Sequence, residues 1–152
     1  EDEPLGTAGA LGLLPKDISE LPIIVMNGDL LTKVDFNNLL EFHNSSGADA
    51  TMCVREYDIQ VPFGVVEMKK GRIEKITEKP VHKFFVNAGI YVLNNKLIKK
   101  VDGKSYLDMP NFLENELKKR GINAFPIHEY WLDIGRIEEY TKGNEDAALF
   151  NL

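Results

Sequence analysis

The chain has 152 residues, a length that fits one domain. It carries 18 Lys and Arg against 24 Asp and Glu, a formal net charge of −6, and no basic block. Binders of nucleic acid and of anionic membranes need clustered cations, so the charge argues against both. The longest apolar runs, such as 11–14 and 23–26, are far shorter than the roughly 20 residues of a bilayer span, so a membrane-spanning helix is not expected. The one cysteine, Cys53, rules out an internal disulfide framework, and we expect a soluble protein of the cytoplasm.

The first elements are a short helix and an apolar strand. Residues 5–11 are typical of a loop entering a helix, which Thr7 can cap and Pro15 can end. The unbroken apolar run at 23–26 stops at Asn27-Gly28-Asp29. It predicts a strand that is buried on both faces, as in a parallel sheet.

The middle of the chain alternates between helical and strand periodicity. Asp35 begins a helical pattern that Gly47 ends, and a strand at 50–54 completes a β-α-β unit with a right-handed crossover. Apolar segments at 63–68 and 72–76 predict a hairpin outside the parallel sheet. Residues 84–93 predict a further strand.

Two helices and two strands complete the chain. Asp108 is placed to cap a helix that Gly121 terminates. Residues 122–127 and 131–134 predict strands, and 137–150 predict a terminal helix. The expected architecture is therefore α/β with a mixed sheet.

Two aspartates are candidates for chemistry. Asp29 follows a strand end, where open α/β sheets bind ligands; it can hold a hard cation such as Mg²⁺, and Gly28 leaves room beside it. An ordinary Gly-Asp turn is the alternative. Asp133 lies among apolar residues, where a carboxylate needs a partner or a metal ion. Its alternatives are to cap the helix from Ile137 or to pair with an arginine.

Two short motifs have the chemistry to bind a sugar phosphate. Glu78 offers an acceptor for hydroxyls and Lys79 a cation for phosphate, with Pro80 favouring an extended backbone at Lys79. A solvated turn is the alternative. Asn87 offers a donor and an acceptor, as a sugar diol requires, and Gly89 permits close approach. The alternative there is a β-bulge.

The remaining signals are weaker. Gly6 and Gly9 could let a planar base approach the main chain, or could pack a helix tightly. His43 completes an apolar helix face and is expected in the core. His82 and His128 lack zinc-ligand spacing, so a zinc site is not expected.

Six motifs, taken in chain order, resemble the sugar-1-phosphate nucleotidyltransferases, the family of mannose-1-phosphate guanylyltransferase and glucose-1-phosphate thymidylyltransferase-like enzymes. They are Leu5-Gly6-Thr7-Ala8-Gly9-Ala10-Leu11, Asn27-Gly28-Asp29, Phe63-Gly64-Val65-Val66, Glu78-Lys79-Pro80, Val86-Asn87-Ala88-Gly89-Ile90-Tyr91 and Trp131-Leu132-Asp133-Ile134-Gly135. Each motif alone is ambiguous, but their order across almost the whole chain is specific.

The resemblance implies a fold, a reaction and a set of roles. The fold is a Rossmann-like nucleotide-diphospho-sugar transferase fold with a mixed, mostly parallel sheet. A hexose 1-phosphate attacks the α-phosphorus of a nucleoside triphosphate, with GTP favoured, and releases pyrophosphate. The implied roles are Mg²⁺ ligands at Asp29 and Asp133, a sugar-phosphate contact at Lys79, sugar contacts at Gly64, Glu78, Asn87 and Gly89, and nucleotide contacts at Gly6, Thr7 and Gly9.

The chain lacks the glycine-rich opening with its Arg and Lys that the family uses to hold the triphosphate. We therefore expect residues 1–152 to be a single partial domain, the C-terminal portion of a catalytic domain without its first β-α units. That portion is expected to have little activity alone and to self-associate, so a homo-oligomer is possible. A catalytically silent sugar-nucleotide-binding relative and a thymidylyl- or uridylyltransferase remain alternatives. A metal-dependent glycosyltransferase is disfavoured because Asn27-Gly28-Asp29 lacks the first Asp of an Asp-x-Asp motif.

Overall fold

The computed structural model describes residues 3–15, 17 and 20–150, without the side chains of 118–120 and 150. Its helices are α1 (Gly6–Gly9), α2 (Phe36–Ser46), α3 (Asn95–Ile98), α4 (Met109–Arg120) and α5 (Ile137–Phe150), with a 3₁₀ turn at Ala10–Leu13. Its strands are β1 (Ile23–Met26), β2 (Leu30–Thr32), β3 (Ala50–Gln60), β4 (Val65–Lys69), β5 (Arg72–Thr77), β6 (Val81–Leu93), β7 (Ile122–Pro126) and β8 (Trp131–Asp133). No helix among the described residues is long and apolar enough to cross a membrane.

The main sheet has four strands in the order β1-β6-β3-β7. β6 is antiparallel to both of its neighbours, and β7 is parallel to β3. Three strands therefore share one direction and β6 opposes them, which confirms the expected mixed sheet. The expectation that β1 is buried on both faces was wrong. β1 lies at the edge of this sheet, and its residues are half-buried or exposed.

The core lies on both faces of β6. Tyr91 and Leu93 belong to a cluster with α3 and α4, whereas Ile90 and Val92 belong to a second cluster that includes Leu39 of α2. Successive side chains of a strand point to opposite faces, so the apolar run at the end of β6 supplies both clusters. Both core clusters therefore contain side chains of β6.

The helix predicted to begin after Asp35 is confirmed together with its signals. Asp35 is the N-cap of α2, and its Oδ1 accepts hydrogen bonds from the backbone nitrogens of Asn37 and Asn38 at 2.9 and 3.2 Å. Gly47 closes the helix in the left-handed region, with a φ of 66°. A side-chain cap and a C-terminal glycine together fix both ends of a helix.

β3 and β6 extend further than the sequence predicted. Beyond the four-stranded sheet, Arg55–Gln60 pairs with Val81–Val86 as a two-stranded ribbon. One face of this ribbon carries exposed apolar side chains, including Tyr57, Ile59 and Phe84. The β4-β5 hairpin also exposes an apolar face. Periodicity failed at the ribbon because half of its residues are charged or polar.

His43 is a core residue, as predicted. It is 2% exposed; its Nδ1 lies 2.9 Å from Thr51 Oγ1, and its Nε2 lies 3.1 Å from Asn94 Oδ1. Cys53 is also buried, and burial, followed by the negative charge of Glu129, raises the pKa of its thiol to about 12. The thiol therefore stays protonated at neutral pH and is a poor nucleophile.

We expect Thr51→Val to lower the free energy of unfolding by about 1–3 kcal/mol. The change keeps the shape of the side chain but removes the hydroxyl beside a buried imidazole nitrogen. Urea denaturation of this chain measures the effect. Thr141→Val is the control, because Thr141 Oγ1 donates to a helix carbonyl at the exposed surface. Equal losses in the two variants would contradict the role given to the Thr51–His43 contact.

Candidate active site

Two neighbouring strands bring Asp29 and Asp133 together. β2 begins at Leu30 and pairs with β8 in an antiparallel register that sets Leu30 opposite Asp133. Directly beside this pair, Ile134 N donates a hydrogen bond to Asp29 O at 2.8 Å. The backbones of two aspartates that are distant in sequence are therefore neighbours, and both residues of this acidic pair are exposed.

The carboxylates of the pair interact electrostatically. The pKa of Asp133 is raised, first by desolvation and then by the negative charges of Asp29 and Glu139. A Cβ added at Gly135 would lie 3.9 Å from Asp133 Oδ1 and 3.7 Å from Glu139 Oε2. Negative charge is thus concentrated beside a residue that has no side chain. This environment attracts a cation, because a cation relieves the repulsion.

Two exposed carboxylates are a donor set that fits Mg²⁺. Among the described residues, no group of three or more His, Cys, Asp or Glu could hold a metal ion. Mg²⁺ in phosphate-transfer sites is usually held by one or two carboxylates, with water and substrate phosphates completing the coordination. Two exposed carboxylates next to the open space around Gly28 meet that requirement.

The Asn87-Ala88-Gly89 motif forms a β-bulge, which was the alternative weighed for it. Met52 pairs with Tyr91 and Val54 with Asn87, so Cys53 alone stands opposite three residues of β6. Gly89, inside the bulge, has a φ of 69°, and a Cβ there would lie 2.8 Å from Asn27 Nδ2. Glycine is needed at this position both for its backbone conformation and for the space it leaves.

The bulge is hydrogen-bonded to both segments that carry the acidic pair. Asn27 N donates to Gly89 O at 2.9 Å, and Trp131 Nε1 donates to Ala88 O at 2.9 Å. Asn27 lies two residues before Asp29, and Trp131 lies two residues before Asp133. Three motifs that were considered separately in the sequence therefore form one connected unit.

The Asn87 side chain is partly committed to this local structure. Its Oδ1 accepts from Gly89 N at 3.0 Å, and its Nδ2 donates to Tyr91 Oη at 2.7 Å. An asparagine amide has two donors and two acceptor positions, so one of each remains available to a ligand. Asn87 borders an open cavity of about 450 Å³ that lies against α4. The residues that line this cavity include Met52, Leu113 and Asn123.

Gly64, Glu78 and Lys79 lie at the base of the β4-β5 hairpin, on a different sheet from the acidic pair. A Cβ at Gly64 would lie 2.9 Å from Glu78 Oε2, so glycine leaves room for that carboxylate. The expectation of an extended Lys79 was wrong, since its φ is 43°. The chain passes from β5 to β6 in three residues, and Val61 N donates to Pro80 O at 3.0 Å, so the tight connection outweighs the preference before proline.

The nucleotide-binding candidates Gly6, Thr7 and Gly9 form α1. Thr7 does not cap this helix as expected, because the N-cap position is Leu5 and no side chain caps it. Instead, Thr7 Oγ1 accepts a hydrogen bond from Met109 N at 2.8 Å, at the start of α4. The short segment is therefore fastened to a distant helix.

Two residues near these groups, Glu139 and Tyr91, were not predicted from the sequence. Glu139 contributes to the negative charge at Asp133, and Tyr91 holds the Asn87 amide. A signal for Glu139 was available, because it lies in the first turn of α5, four residues after Gly135. Tyr91 read as one more core residue of β6, and nothing in its pattern indicated the contact.

Comparison with known proteins gives the family. The model of the nucleotidyl transferase family matches residues 1–148. Mannose-1-phosphate guanylyltransferase 1 from Arabidopsis thaliana is 36% identical over 157 aligned residues, which cover 94% of this chain and 42% of the relative. Mannose-1-phosphate guanyltransferase from Pichia angusta is 33% identical, and the aligned region covers 94% of this chain and 41% of that protein. The chain thus spans less than half the length of these curated relatives.

Solved structures agree with that result. HddC from Yersinia pseudotuberculosis, complexed with GMP-PN, superposes with a TM-score of 0.67 at 28% identity, covering 96% of this chain and 64% of HddC. A Bacillus anthracis protein described as a putative glucose-1-phosphate thymidylyltransferase has a TM-score of 0.71 at 22% identity, which shows the shared fold. The chain belongs to the nucleotidyl transferase family.

Proposed function

We propose that the parent protein, meaning the protein of family length that contains residues 1–152, is a sugar-1-phosphate nucleotidyltransferase. GTP is the favoured nucleotide and a hexose 1-phosphate is the second substrate. The names of the guanylyltransferase relatives and the GMP-PN complex of HddC support this choice of base. The observation that carries the proposal is the pairing of β2 with β8, which sets Asp29 beside Asp133.

In the proposed reaction, a phosphate oxygen of the sugar 1-phosphate attacks the α-phosphorus of the nucleoside triphosphate. A new P–O bond forms while the bond to the departing pyrophosphate breaks, giving an NDP-sugar. Such a transfer needs in-line positioning and neutralisation of charge more than it needs covalent chemistry from side chains. The candidate residues suit these two tasks.

The acidic pair would hold Mg²⁺, which neutralises phosphate charge when it is bound. Lys79 supplies a cation for the sugar phosphate, and the amide of Asn87 and the carboxylate of Glu78 hold sugar hydroxyls. The main chain at Gly64 and Gly89 borders the sugar. Gly6, Thr7 and Gly9 border the base and ribose.

We propose further that residues 1–152 are the C-terminal portion of the catalytic domain and turn over little by themselves. The family's glycine-rich loop supplies an Arg and a Lys to the triphosphate, and two aspartates cannot replace that electrostatic stabilisation. The exposed apolar faces of the ribbon and of the hairpin are consistent with a homo-oligomer. The proposed compartment is the cytoplasm.

The proposed function is tested by assaying the parent protein for pyrophosphate release in the presence of Mg²⁺. Each of GTP, dTTP and UTP is combined with several hexose 1-phosphates. We expect turnover with at least one pair, GTP being the best nucleotide. Turnover with dTTP or UTP in its place would overturn the choice of base. Tight binding of a sugar nucleotide without any turnover would overturn the proposed enzymatic activity. It would support the alternative, a catalytically silent sugar-nucleotide-binding relative.

Lys79→Ala in the parent protein should raise the KM for the hexose 1-phosphate about tenfold, because it removes a charge-assisted contact to phosphate. Lys70→Ala is a matched control. Lys70 is also an exposed lysine in the left-handed region, with a φ of 47°, and it lies in the turn of the same hairpin. Steady-state kinetics with the sugar phosphate varied should separate the two. An unchanged KM in Lys79→Ala would remove the residue from the site.

A further inference from the structure

We propose that Asp108 is a positioning residue for the nucleotide-binding segment Gly6–Gly9. It would hold that segment in the shape that accepts the nucleotide without touching the nucleotide itself. The inference rests on the proposed function, because it concerns the same nucleotide site.

The backbone of the loop before α4 holds the segment on both sides. Ala8 N and Gly9 N both donate to Leu107 O, at 2.9 and 3.0 Å. In return, Leu107 N donates to Leu5 O at 2.9 Å. One residue of the distant loop therefore fixes two positions of the segment and Leu5, the residue that precedes it.

Asp108 and Thr7 add a reciprocal pair of side-chain contacts. Thr7 N donates to Asp108 Oδ1 at 3.3 Å, while Met109 N donates to Thr7 Oγ1 at 2.8 Å. Asp108 occupies the N-cap position of α4, yet its side chain does not cap its own helix. Its other oxygen, Oδ2, accepts from Tyr106 Oη at 3.0 Å. The carboxylate is thus held on one side and directed at the segment on the other.

The same carboxylate lies close to Gly6. Its φ is 75°, and a Cβ there would lie 2.9 Å from Asp108 Oδ1 and 2.7 Å from Leu107 O. No side chain can be added at Gly6 without displacing this loop. The Leu107 backbone therefore fixes Ala8 and Gly9, Asp108 adds the contact at Thr7 and the close approach at Gly6, and a base that approaches this segment depends on both residues.

Asp108→Ala in the parent protein should raise the KM for GTP about fivefold, the size of the net contribution of one ordinary hydrogen bond. The kcat and the KM for hexose 1-phosphate should stay within about twofold, because the acidic pair is held by β2 and β8. Asp108→Asn keeps an Oδ1 acceptor for Thr7 N and should restore the KM for GTP. The Kd for GTP, measured by calorimetry, should change in parallel.

Asp102→Ala is the control for general loosening of this loop. Asp102 Oδ1 accepts from Lys104 N and Ser105 N at 2.8 and 3.0 Å, within its own loop. It should leave the KM for GTP unchanged.

A wild-type KM and Kd for GTP in Asp108→Ala would overturn the inference, and so would an equal rise in Asp102→Ala or a failure of Asp108→Asn to rescue. The proposed function fails separately, when the unaltered parent shows no pyrophosphate release. In that case the Kd series for GTP still decides the role of Asp108, and a parent that does not bind GTP overturns both.

Discussion

Asp133→Asn in the parent protein is expected to lower kcat by about 100- to 1,000-fold, and Asp29→Asn by a similar factor. Each change removes one anionic ligand of the Mg²⁺ ion that would neutralise phosphate charge. The double variant should be little worse than either single variant, because the two groups act as a unit. Pyrophosphate release under saturating substrates measures the effect, with Glu138→Gln in the first turn of α5 as the control.

Asp133→Asn should not weaken the fold. The pKa of Asp133 is raised in the native state, so the native state binds this proton more tightly than the unfolded state does. Its ionisation therefore opposes folding once the pH exceeds the ordinary aspartate pKa. Asp133→Asn should therefore raise the free energy of unfolding slightly at neutral pH and lose that gain in acid. A kcat within twofold of wild type would remove Asp133 from the metal site.

Gly89→Ala is the second change with a large expected effect. It should lower the free energy of unfolding by about 2–4 kcal/mol, because an alanine there has a left-handed backbone and its Cβ meets Asn27 Nδ2. The bulge connects the segments that carry both aspartates, so kcat/KM in the parent protein should also fall at least about tenfold.

Gly47→Ala separates the two causes of that loss of stability. Gly47 has a φ of 66° but open space around its missing Cβ, so it should lose only about 1 kcal/mol. Combining Gly89→Ala with Asn27→Ala should recover part of the larger loss. Equal losses at Gly47 and Gly89 in urea denaturation would show that the Asn27 contact is unimportant.

The longer helices α2, α4 and α5 could be predicted from the sequence because their signals are local, whereas the short α3 was not predicted. The cap at Asp35, the glycine at Gly47 and the bounds of α5 agree with the structure. β1 was misjudged because its apolar run does not reveal that it lies at a sheet edge with half-buried side chains. Periodicity describes a strand's own faces and says little about its neighbours.

The candidate site could be predicted only in part. The meeting of Asp29 with Asp133 came from the resemblance to a family, since nothing local pairs residues so far apart. The left-handed backbone of Lys79 and the hydrogen bond from Met109 N to Thr7 Oγ1 arise from tertiary contacts that override local preferences. The bulge at Gly89 was foreseen as an alternative, but its bonds to Asn27 and Trp131 were not.

The most direct test of the account is the position of a divalent ion in a crystal of the parent protein with Mn²⁺ and a non-hydrolysable GTP analogue. Anomalous scattering locates Mn²⁺ without ambiguity about its identity. We expect one ion about 2.1 Å from a carboxylate oxygen of Asp29 and from one of Asp133, with a nucleotide phosphate oxygen completing the contact. An ion bound to only one of these aspartates, or placed away from both, would contradict the account.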